Sequence, residues 1–471
     1  MIGTLVRTRL IFTLSLTKLL ILLVFCSENR VRAQLKINCK PDSITVIAGA
    51  QYHKAKLYRW LWGDNWRAEW TIPVRVPVVF LDTLYGGLTP YKTGGGNETS
   101  SLRLRSIEGK EYVIRSIDKS RLQVIPPYLR NTLIGYIIQD GVSMSYPYAG
   151  VAVTKMLEHV GIYHTTPSLV YIPRQVALDT FNTVFANNLY LLEERLDGDW
   201  SDAPHLGNFD TFYSTIEVID TIQGNNQYKA DQKAFIKARL FDILISDWDK
   251  HHDNWRWGMQ NDQKRFIPIP RDRDQAFFTR NGILNNIFTS LSGLTFMQNF
   301  DYSVKSVEAL TSQDRKLDKI FTSEMTLDDW INAANYLQQL LTDTVIEQSI
   351  SKLPPEVFAI SGKEIIEKIK ARRNKLHYYA ADYYKVLAKE VKIIGSKRNE
   401  HFEIKRMTKG ETSVEIFRIG DQRKKEDSAF YRRIFFDNHT TLITIDGLGG
   451  DDIFDISPDA YNIKVIRRND K

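Results

Sequence analysis

The chain has very little cysteine: its 471 residues contain two, Cys26 and Cys39. A disulfide framework and a cysteine-rich zinc site both need more thiols than this. Removal of an N-terminal leader over 1–33 would leave only Cys39, so that no internal disulfide could form. Cys26 is also a poor lipidation site, because the bulky Phe25 precedes it. The cysteines therefore exclude a disulfide scaffold and do not indicate the compartment.

The N-terminus also lacks an apolar run long enough to predict a membrane span. Its strongest apolar stretch, 19–25, is short and follows Lys18. Two arginines precede this stretch, and 31–33 offer a small-residue cleavage site. This order of features is typical of a signal peptide. We therefore predict that residues 1–33 are removed on export.

A large charge excess is lacking once the leader is set aside. The whole sequence carries a formal net charge of +7. The leader holds five basic residues and one acidic residue, so its removal leaves roughly +3. Nucleic-acid binding thereby loses its main support, and we predict no nucleic-acid partner. The 43% of hydrophobic residues supply enough apolar material for roughly two or three domains.

Phosphate-loop motifs are lacking at a glycine-rich stretch formed by Gly94, Gly95 and Gly96. No G-K-[ST] follows, and the glycines lead into a strand, so neither a P-loop nor a dinucleotide fingerprint fits. Alternating apolar residues predict a hairpin with strands at 101–105 and 111–115. Glycines let backbone amides approach a phosphate. A kinase-style glycine loop over ATP fits better, and an ordinary hairpin is the alternative.

Metal-binding and proton-transfer groups crowd into 249–254, and a second group follows at 272–274. Within 233–248, apolar residues at offsets of four, seven and eight predict a buried helix that leads to the first group. Before the second group, Pro268 and Pro270 favour extended backbone and exclude a helix. A helix and a short strand or edge segment are thus expected to deliver the two polar groups.

These two groups match the requirements of phosphoryl transfer from a nucleotide. The reaction needs a carboxylate near the attacking hydroxyl, oxygen ligands for metal ions, and a cation on the phosphates. Asp249 and Asn254 have the D-x-x-x-x-N spacing of the kinase catalytic loop, in which the Asp is the base and the Asn a metal ligand. Asp272 stands where the metal-binding Asp of the kinase D-F-G segment would follow its strand. The joint pattern predicts a kinase-like site.

Two segments carry a resemblance to known families: FDILISDWDKHHDNW at 241–255 and RDRDQAF at 271–277. They resemble the catalytic and metal-binding segments of the phosphatidylinositol 4-kinase-like branch of atypical kinases. Toxin kinases of the HipA type and spore-coat kinases of the CotH type share the same logic. The span 51–391 also resembles a domain of Bacteroidota envelope proteins, some of which continue into an outer-membrane β-barrel. The resemblance implies a bilobal kinase fold that uses ATP with Mg²⁺ or Mn²⁺.

In the C-terminal half, the resemblance implies roles for four side chains. Asp249 is the expected catalytic base. Asn254 and Asp272 are the expected metal ligands. Asp274 is expected either to supply a further metal oxygen or to contact the ligand residues without binding the metal itself.

In the N-terminal half, the resemblance implies nucleotide contacts from the glycines at 94–96 and from Arg115, which stands in place of the strand lysine that pairs with the phosphates. Lys119 is the reserve candidate, and Glu193 occupies the hinge position between the lobes. Arg is a departure from the family pattern, because a planar fork does not replace a point charge neutrally.

A second departure concerns the helix that normally carries a glutamate to position the phosphate cation. Ala149 and Gly150 stand there instead. This substitution is the strongest sequence argument against ordinary kinase chemistry. It favours the alternative that a kinase-like fold is retained without activity.

Other interpretations of the polar loop also stay open. His251 and His252 with the neighbouring aspartates suit a transition-metal site. We expect the two adjacent rings to point apart, and no distant His-x-His or Cys partner is evident. A solvated loop with capping carboxylates is a further alternative.

The remaining segments complete the domain prediction. Residues 34–85 are rich in aromatic side chains and are expected to dock on the core as a helix-turn segment. Residues 86–195 form the predicted kinase-like N-lobe, and 196–391 the mainly helical C-lobe. From 392 the apolar period changes to two, which predicts a small β-rich domain over 392–471. The predicted fold class is α+β, a bilobal kinase-like domain followed by that β-rich domain.

The sequence thus predicts an exported ATP- and metal-dependent phosphotransferase of atypical kinase type, in the periplasm or at the outer membrane. Its partners are a nucleotide and an acceptor that the sequence does not identify, whether protein, sugar or lipid head group. One alternative is an inactive kinase-like binding or assembly module of an outer-membrane protein. Another is a metal-dependent phosphohydrolase that uses His251 or His252.

Overall fold

The computed structural model describes the chain over residues 42–95, 99–407, 410–420, 423–458 and 463–468. The predicted leader at 1–33 and Gly96 of the predicted glycine loop lie outside these ranges. No helix within them is long and apolar enough to cross a bilayer.

An aromatic-rich N-terminal segment comes first. Strands β1 (Ser43–Ile47) and β2 (Pro73–Pro77) form an antiparallel pair, and the helices Lys56–Trp62 and Arg67–Thr71 lie between them in sequence. The indole of Trp66 is buried and donates to the carbonyl oxygen of Phe277 at 2.8 Å. The segment is therefore anchored to the chain that follows the second polar group.

The first lobe is built on an antiparallel sheet with strand order β3-β4-β5-β7-β6. Its strands are β3 (Leu88–Gly94), β4 (Ser101–Ser106), β5 (Glu111–Ser116), β6 (Ser168–Ile172) and β7 (Asn188–Glu194). Four helices connect them, at Pro127–Arg130, Leu133–Asp140, Ala149–His159 and Asn182–Phe185. One face of this sheet forms its own apolar core with Trp200 and Phe209.

The second lobe is mainly helical. It contains a small sheet of order β8-β10-β11-β9, formed by β8 (Phe212–Ser214), β9 (Lys229–Ala230), β10 (Trp255–Gln260) and β11 (Arg265–Pro270). Its helices are Thr215–Gly224, Gln232–Ile245, Ile283–Ser292, Val307–Leu310, Arg315–Phe321, Leu327–Leu340, Asp343–Ile350, Pro355–Val357, Lys363–Asn374 and Leu376–Ala388. The largest apolar core joins these helices to the helix Ala149–His159 of the first lobe.

The last part of the chain is β-rich. Its strands are β12 (Glu390–Ile394), β13 (Glu400–Arg406), β14 (Glu411–Ile419), β15 (Lys425–Phe436), β16 (Leu442–Asp446), β17 (Ile453–Ile456) and β18 (Lys464–Arg468). They form two sheets, β12-β16-β18 and β15-β14-β13-β17, around a separate apolar core. Buried Glu400 accepts a hydrogen bond from Asn226 at 2.9 Å, which ties this part to the second lobe.

The predicted α+β class is confirmed: a sheet-based lobe and a mainly helical lobe are followed by a β-rich part. The two prolines of β11 explain why this strand could be predicted from its local sequence. The neighbouring strand β9 pairs only with Arg265 and Phe266, so Pro268 and Pro270 lie where that edge is free. Proline is tolerated at such edge positions because it has no N–H to donate.

Candidate active site

The helix Gln232–Ile245 delivers the first polar group, as the apolar spacing predicts. Ser246 ends it with a left-handed backbone angle, φ +58°. The fully buried guanidinium of Arg372 caps this end, because it donates to the carbonyl oxygens of Ile243 and Leu244, both at 2.6 Å. A cation at a helix C-terminus also complements the helix dipole. The chain therefore leaves the helix in a fixed direction.

The loop 249–254 is closed by its own last residue. The side-chain Nδ2 of Asn254 donates to the backbone oxygen of Asp249 at 2.8 Å. This bond uses the amide nitrogen and leaves the side-chain oxygen as the group available to a cation. The Asp249 side chain is 35% exposed, and its Oδ1 lies 3.9 Å from the Nε2 of His251. Asp249 is thus open to a substrate, whereas Asn254 is buried.

The hairpin of β10 and β11 brings the two polar groups together. Trp255 pairs with Pro270, so the residues on either side of this pair, Asn254 and Arg271, face each other. The backbone N–H of Arg271 donates to the backbone oxygen of Asn254 at 2.8 Å. Asp272 follows with φ +50°, a conformation that non-glycine residues rarely adopt. The turn thus directs Asp272 away from the strand.

Lys250 ties the loop to Asp272. Its side chain is fully buried, and its Nζ donates to the backbone oxygens of Arg271 at 3.2 Å and Asp272 at 2.7 Å. The same ammonium pairs with the buried carboxylate of Asp247. All three N–H donors of the lysine are therefore used. Lys250 fixes the distance between the catalytic-loop backbone and the metal-binding segment.

Arg115 reaches Asp272 from the first lobe. It lies on β5, the third strand of its sheet in chain order, where kinases carry the phosphate-binding lysine. Its Nη1 is 3.8 Å from Asp272 Oδ2. Its Nε donates to Glu193 Oε1 at 2.6 Å. Glu193 also accepts from the Thr165 hydroxyl at 2.7 Å, so the carboxylate that holds the arginine is itself held.

Strand alternation explains why Arg115 and Glu193 meet. In the antiparallel register of β5 and β7, Arg115 is opposite Leu191, two residues from Glu193. Residues two apart on a strand share a face, and diagonal neighbours across a pair lie within reach of long side chains. Glu193 was predicted at the hinge with a nucleotide contact. The structure places its carboxylate on the arginine instead.

This pairing bears on the absent helix glutamate. Ala149 and Gly150 begin the helix Ala149–His159, and a side chain at Gly150 would come within 3.4 Å of Pro167. This is an ordinary van der Waals distance, so Pro167 does not exclude a larger residue at this position. The carboxylate that contacts Arg115 comes instead from Glu193 on a neighbouring strand. We interpret Glu193 as a candidate replacement for the helix glutamate.

The other predicted nucleotide contacts lie nearby. Lys119 pairs with the carboxylate of Asp274. Gly94 ends β3, and Gly95 has φ +108° with its backbone so near the oxygen of Thr99 that a Cβ would lie 1.8 Å from it. Only glycine fits that turn. Gly96 lies outside the described residues.

Arg115, Lys119, Glu193, Asp272 and Asp274 line one cleft of about 820 Å³, measured with its opening to solvent. Among the described residues that line the cleft, Asp249 and Asn254 are not included. The loop that carries them is linked to the cleft-lining segment by hydrogen bonds to the backbone of Arg271 and Asp272. The structure thus brings Arg115, Glu193 and Asp272 together and leaves the side chains of Asp249 and Asn254 outside the described lining of the cleft.

The electrostatics of this region favour bound anions. Burial would raise the pKa of Asp272, but the cations of Lys119, Arg115, Lys250 and Arg271 outweigh burial and hold that pKa at about 2. Burial, together with the neighbouring cations of Arg115 and Arg256, lowers the pKa of Arg271 to about 9. Asp272 is therefore ionised at neutral pH, and the arginines beside it repel one another until an anion binds.

Sequence reasoning missed Lys250 and Arg271 as site residues. Both stand inside the quoted segments, but their roles depend on burial that spacing does not indicate. The expectation that the rings of His251 and His252 point apart is also wrong. One ring nitrogen of each histidine and one carboxylate oxygen of Asp253 all lie within 4.8 Å of one another. All three side chains are exposed.

A buried charge network supports the loop from below. Arg239 contacts the carboxylates of Asp242, Asp314 and Asp318, and Asp314 Oδ2 accepts the backbone N–H of Lys250 at 3.1 Å. Burial raises the pKa of Asp314 to about 7, although the cation of Arg239 opposes this. The folded protein thus retains a proton that the unfolded chain loses.

We predict that Asp314 makes the protein less stable as pH rises. Between pH of about 4 and 7 the unfolded carboxyl is ionised and the folded one protonated, so the free energy of unfolding falls by up to about 1.4 kcal/mol per pH unit. Asp314→Asn is neutral throughout and should lose this slope, measured by urea unfolding at pH 5 and 7. Asp328→Asn, at an exposed position, is the control. Equal slopes for the wild type and Asp314→Asn would contradict the assignment.

No protein-family model and no curated protein matches the chain. Among solved structures, the chain is similar to the proinflammatory kinase CtkA of Helicobacter pylori, with a TM-score of 0.33 and 10% identity over 62% of this chain and 95% of that one. It is also similar to HipA in the Shewanella oneidensis MR-1 complex of HipA, HipB and operator DNA, with a TM-score of 0.28 and 12% identity over 62% of this chain and 66% of that one. These likenesses are too remote to assign an activity.

Proposed function

We propose that this protein is an ATP- and metal-dependent phosphotransferase of atypical kinase type that works in the cell envelope. The supporting observation is the chain of contacts from Glu193 to Arg115 to Asp272. It puts a cation that is itself held by a carboxylate beside a second, ionised carboxylate in a solvent-open cleft. Kinase chemistry is positioning plus electrostatic stabilisation, and it needs this pair of groups on facing lobes.

The donor set suits the proposed metal ions. Asp272 and Asp274 offer carboxylate oxygens, and Asn254 offers an amide oxygen. Mg²⁺ and Mn²⁺ prefer such hard oxygen ligands, whereas thiolate and imidazole ligands suit other metals. When bound, the metal ions would neutralise charge on the nucleotide phosphates. Arg115 would then exchange Asp272, and Lys119 would exchange Asp274, for phosphate oxygens, while Glu193 keeps its contact with Arg115.

The remaining roles follow from position. Arg271, whose pKa the cations of Arg115 and Arg256 help to lower, would contact phosphate oxygens together with the backbone amides at Gly94 and Gly95. Asp249, exposed at the margin of the cleft, would accept the proton of the attacking hydroxyl. Its exposure leaves room for an acceptor outside the cleft. Whether this acceptor is a protein, a sugar or a lipid head group stays open.

Glu193→Gln tests the supporting contact. The change keeps the size of the side chain but removes the charge that holds Arg115, and a hydrogen bond to a charged group contributes about 1.5 kcal/mol or more. We expect affinity for ATP with Mn²⁺ to fall about ten-fold. Thermal melting over a nucleotide titration measures this, because a ligand stabilises by RT ln(1 + [L]/Kd).

Glu194→Gln is the matched control for this experiment. Glu194 is the next residue of the same strand, and its carboxylate contacts Thr166 and His205 rather than Arg115. It should leave nucleotide affinity unchanged. If both variants bind ATP as tightly as the wild type, Arg115 is not held for phosphate and the proposal fails.

An inactive binding or assembly module of an outer-membrane protein is the second candidate. It is favoured by the contacts of Asp272 with Arg115 and of Asp274 with Lys119, because cations already neutralise the expected metal ligands. Melting of the wild type with and without millimolar ATP and Mn²⁺ discriminates between the two. A shift in melting temperature supports the enzyme, and its absence supports the module.

A metal-dependent phosphohydrolase is favoured by one observation, the close grouping of His251, His252 and Asp253. It predicts phosphatase activity without nucleotide that is lost in His252→Ala. Activity against a generic phosphomonoester, assayed with Zn²⁺ or Mn²⁺ and no ATP, tests this alternative directly.

A further inference from the structure

A second cavity lies between the helix Leu133–Asp140 and the segment 280–297. It measures about 1,040 Å³ with its open mouth. None of the residues at 115, 249, 254 or 272 lines it. We refer to it as the arginine groove, because Arg121 and Arg280 are the charged side chains among its described lining residues. Its position and lining make it a separate site.

The walls of the arginine groove are apolar. Ile134, Ile137 and Ile138 lie at i, i+3 and i+4 of one helix, which places them on one face. Leu294 and Met297 line the groove from the other segment. Ile134 is nevertheless 51% exposed. A concave apolar surface left open to water marks a ligand or partner site rather than ordinary surface.

Arg280 lacks an anion. Its Nε and Nη1 are buried, and within the described part of the chain no acceptor reaches either nitrogen. Burial lowers the pKa of Arg280, and no described carboxylate opposes this effect. Two buried guanidinium nitrogens without a partner are unfavourable, because their hydration is lost and not replaced. A bound anion in the groove would supply the partner.

We propose that the arginine groove binds a single-chain amphiphile with a carboxylate head group, a medium- or long-chain fatty acid. The acyl chain would lie along the isoleucine face of the helix. The carboxylate would accept hydrogen bonds from Arg280, in the two-point geometry that arginine and carboxylate groups favour. Arg121 would add a second positive charge; its Nη2 is already 3.4 Å from the Ser145 hydroxyl.

The lining distinguishes this occupant from others. A neutral apolar molecule would fill the groove but leave Arg280 unpaired. A small inorganic anion would pair with Arg280 but leave the isoleucine face exposed. Only a molecule with an apolar tail and an anionic end satisfies both surfaces.

Calorimetric titration of the purified protein with decanoate, dodecanoate and 1-decanol tests the proposal without nucleotide or metal. Each buried methylene contributes about a four-fold gain in affinity, so dodecanoate should bind about fifteen-fold more tightly than decanoate. Decanol should bind at least ten-fold more weakly than decanoate, since it cannot pair with the arginine.

Three variants place the ligand. Arg280→Gln should weaken decanoate binding at least ten-fold and leave decanol binding unchanged. Ile134→Glu, at an exposed position, should weaken the binding of both ligands. Arg423→Gln changes an arginine that is 80% exposed on the β-rich part and should alter neither. The melting temperature of each variant without ligand verifies that it folds.

Three outcomes would overturn the proposal. The first is the absence of saturable fatty-acid binding. The second is equal affinity for decanoate and decanol, and the third is equal loss in Arg280→Gln and Arg423→Gln. Binding to anionic phospholipid vesicles without binding to free decanoate would instead identify the groove as a membrane-docking surface.

Discussion

Asp249→Asn is expected to lower phosphoryl transfer by about 10²–10⁴-fold, the usual contribution of a positioned general base. The carboxylate of Asp249 is exposed at the margin of the cleft and is not one of the proposed metal ligands. The amide keeps its shape but cannot accept the proton of the attacking hydroxyl. Nucleotide-dependent stabilisation should therefore persist while turnover is lost. Consumption of radiolabelled ATP and thermal melting on the same samples measure the two effects.

Asp253→Asn is the control for this experiment, because Asp253 is an exposed carboxylate of the same loop. It should retain activity within a few-fold of the wild type. Equal activity in Asp249→Asn and the wild type would remove Asp249 from the mechanism. Equal loss in both variants would indicate that the loop tolerates no change of charge rather than that it contains one base.

Lys250→Met is expected to destabilise the fold by about 3–5 kcal/mol, the usual effect of removing one partner of a buried ion pair. Lys250 and Asp247 are both fully buried, and Asp247 has no hydrogen-bond partner for its carboxylate beyond this ion pair in the described structure. Methionine preserves much of the volume but leaves buried Asp247 without its cation, so that this carboxyl, whose pKa burial already raises, is either charged and unpaired or must take up a proton. The backbone at 271 and 272 also loses its two donors. Denaturant unfolding at pH 7 measures the change.

Two further variants separate charge from packing. Lys233→Met, at a lysine that is 76% exposed, should change stability by less than about 0.5 kcal/mol. Combining Lys250→Met with Asp247→Asn removes both charges and should recover part of the loss. If the double variant is less stable than Lys250→Met alone, the two residues do not act as a pair.

Local patterns predicted the elements that carry the site. The helix that leads to Asp249 and the hairpin with Arg115 follow from apolar spacing within one element, and the strand before Asp272 follows from Pro268 and Pro270. Each depends on neighbours close in sequence, and the physical rule is the period of a helix or strand. The convergence of the two polar groups could also be anticipated, because one loop and one short hairpin join them.

The role of Glu193 could not be predicted in the same way. It depends on β7 lying beside β5, a pairing between residues 78 apart in sequence, with Glu193 on the same face as Arg115. The same holds for Lys250, which resembles an ordinary residue of a polar loop until burial is known. The departure at Ala149 and Gly150 is visible in the sequence, but the carboxylate that contacts Arg115 lies on a strand whose pairing spacing alone could not predict.

The central claim is that side chains at 115, 254 and 272 form one nucleotide and metal site, with 249 at its edge. The most direct measurement is a crystal structure of the protein with a non-hydrolysable ATP analogue and Mn²⁺, in which anomalous scattering locates the metal. Mn²⁺ should be found on Asp272 and the side-chain oxygen of Asn254, with the phosphates on Arg115. Metal or nucleotide bound elsewhere, with Arg115 still paired to Asp272, would contradict it.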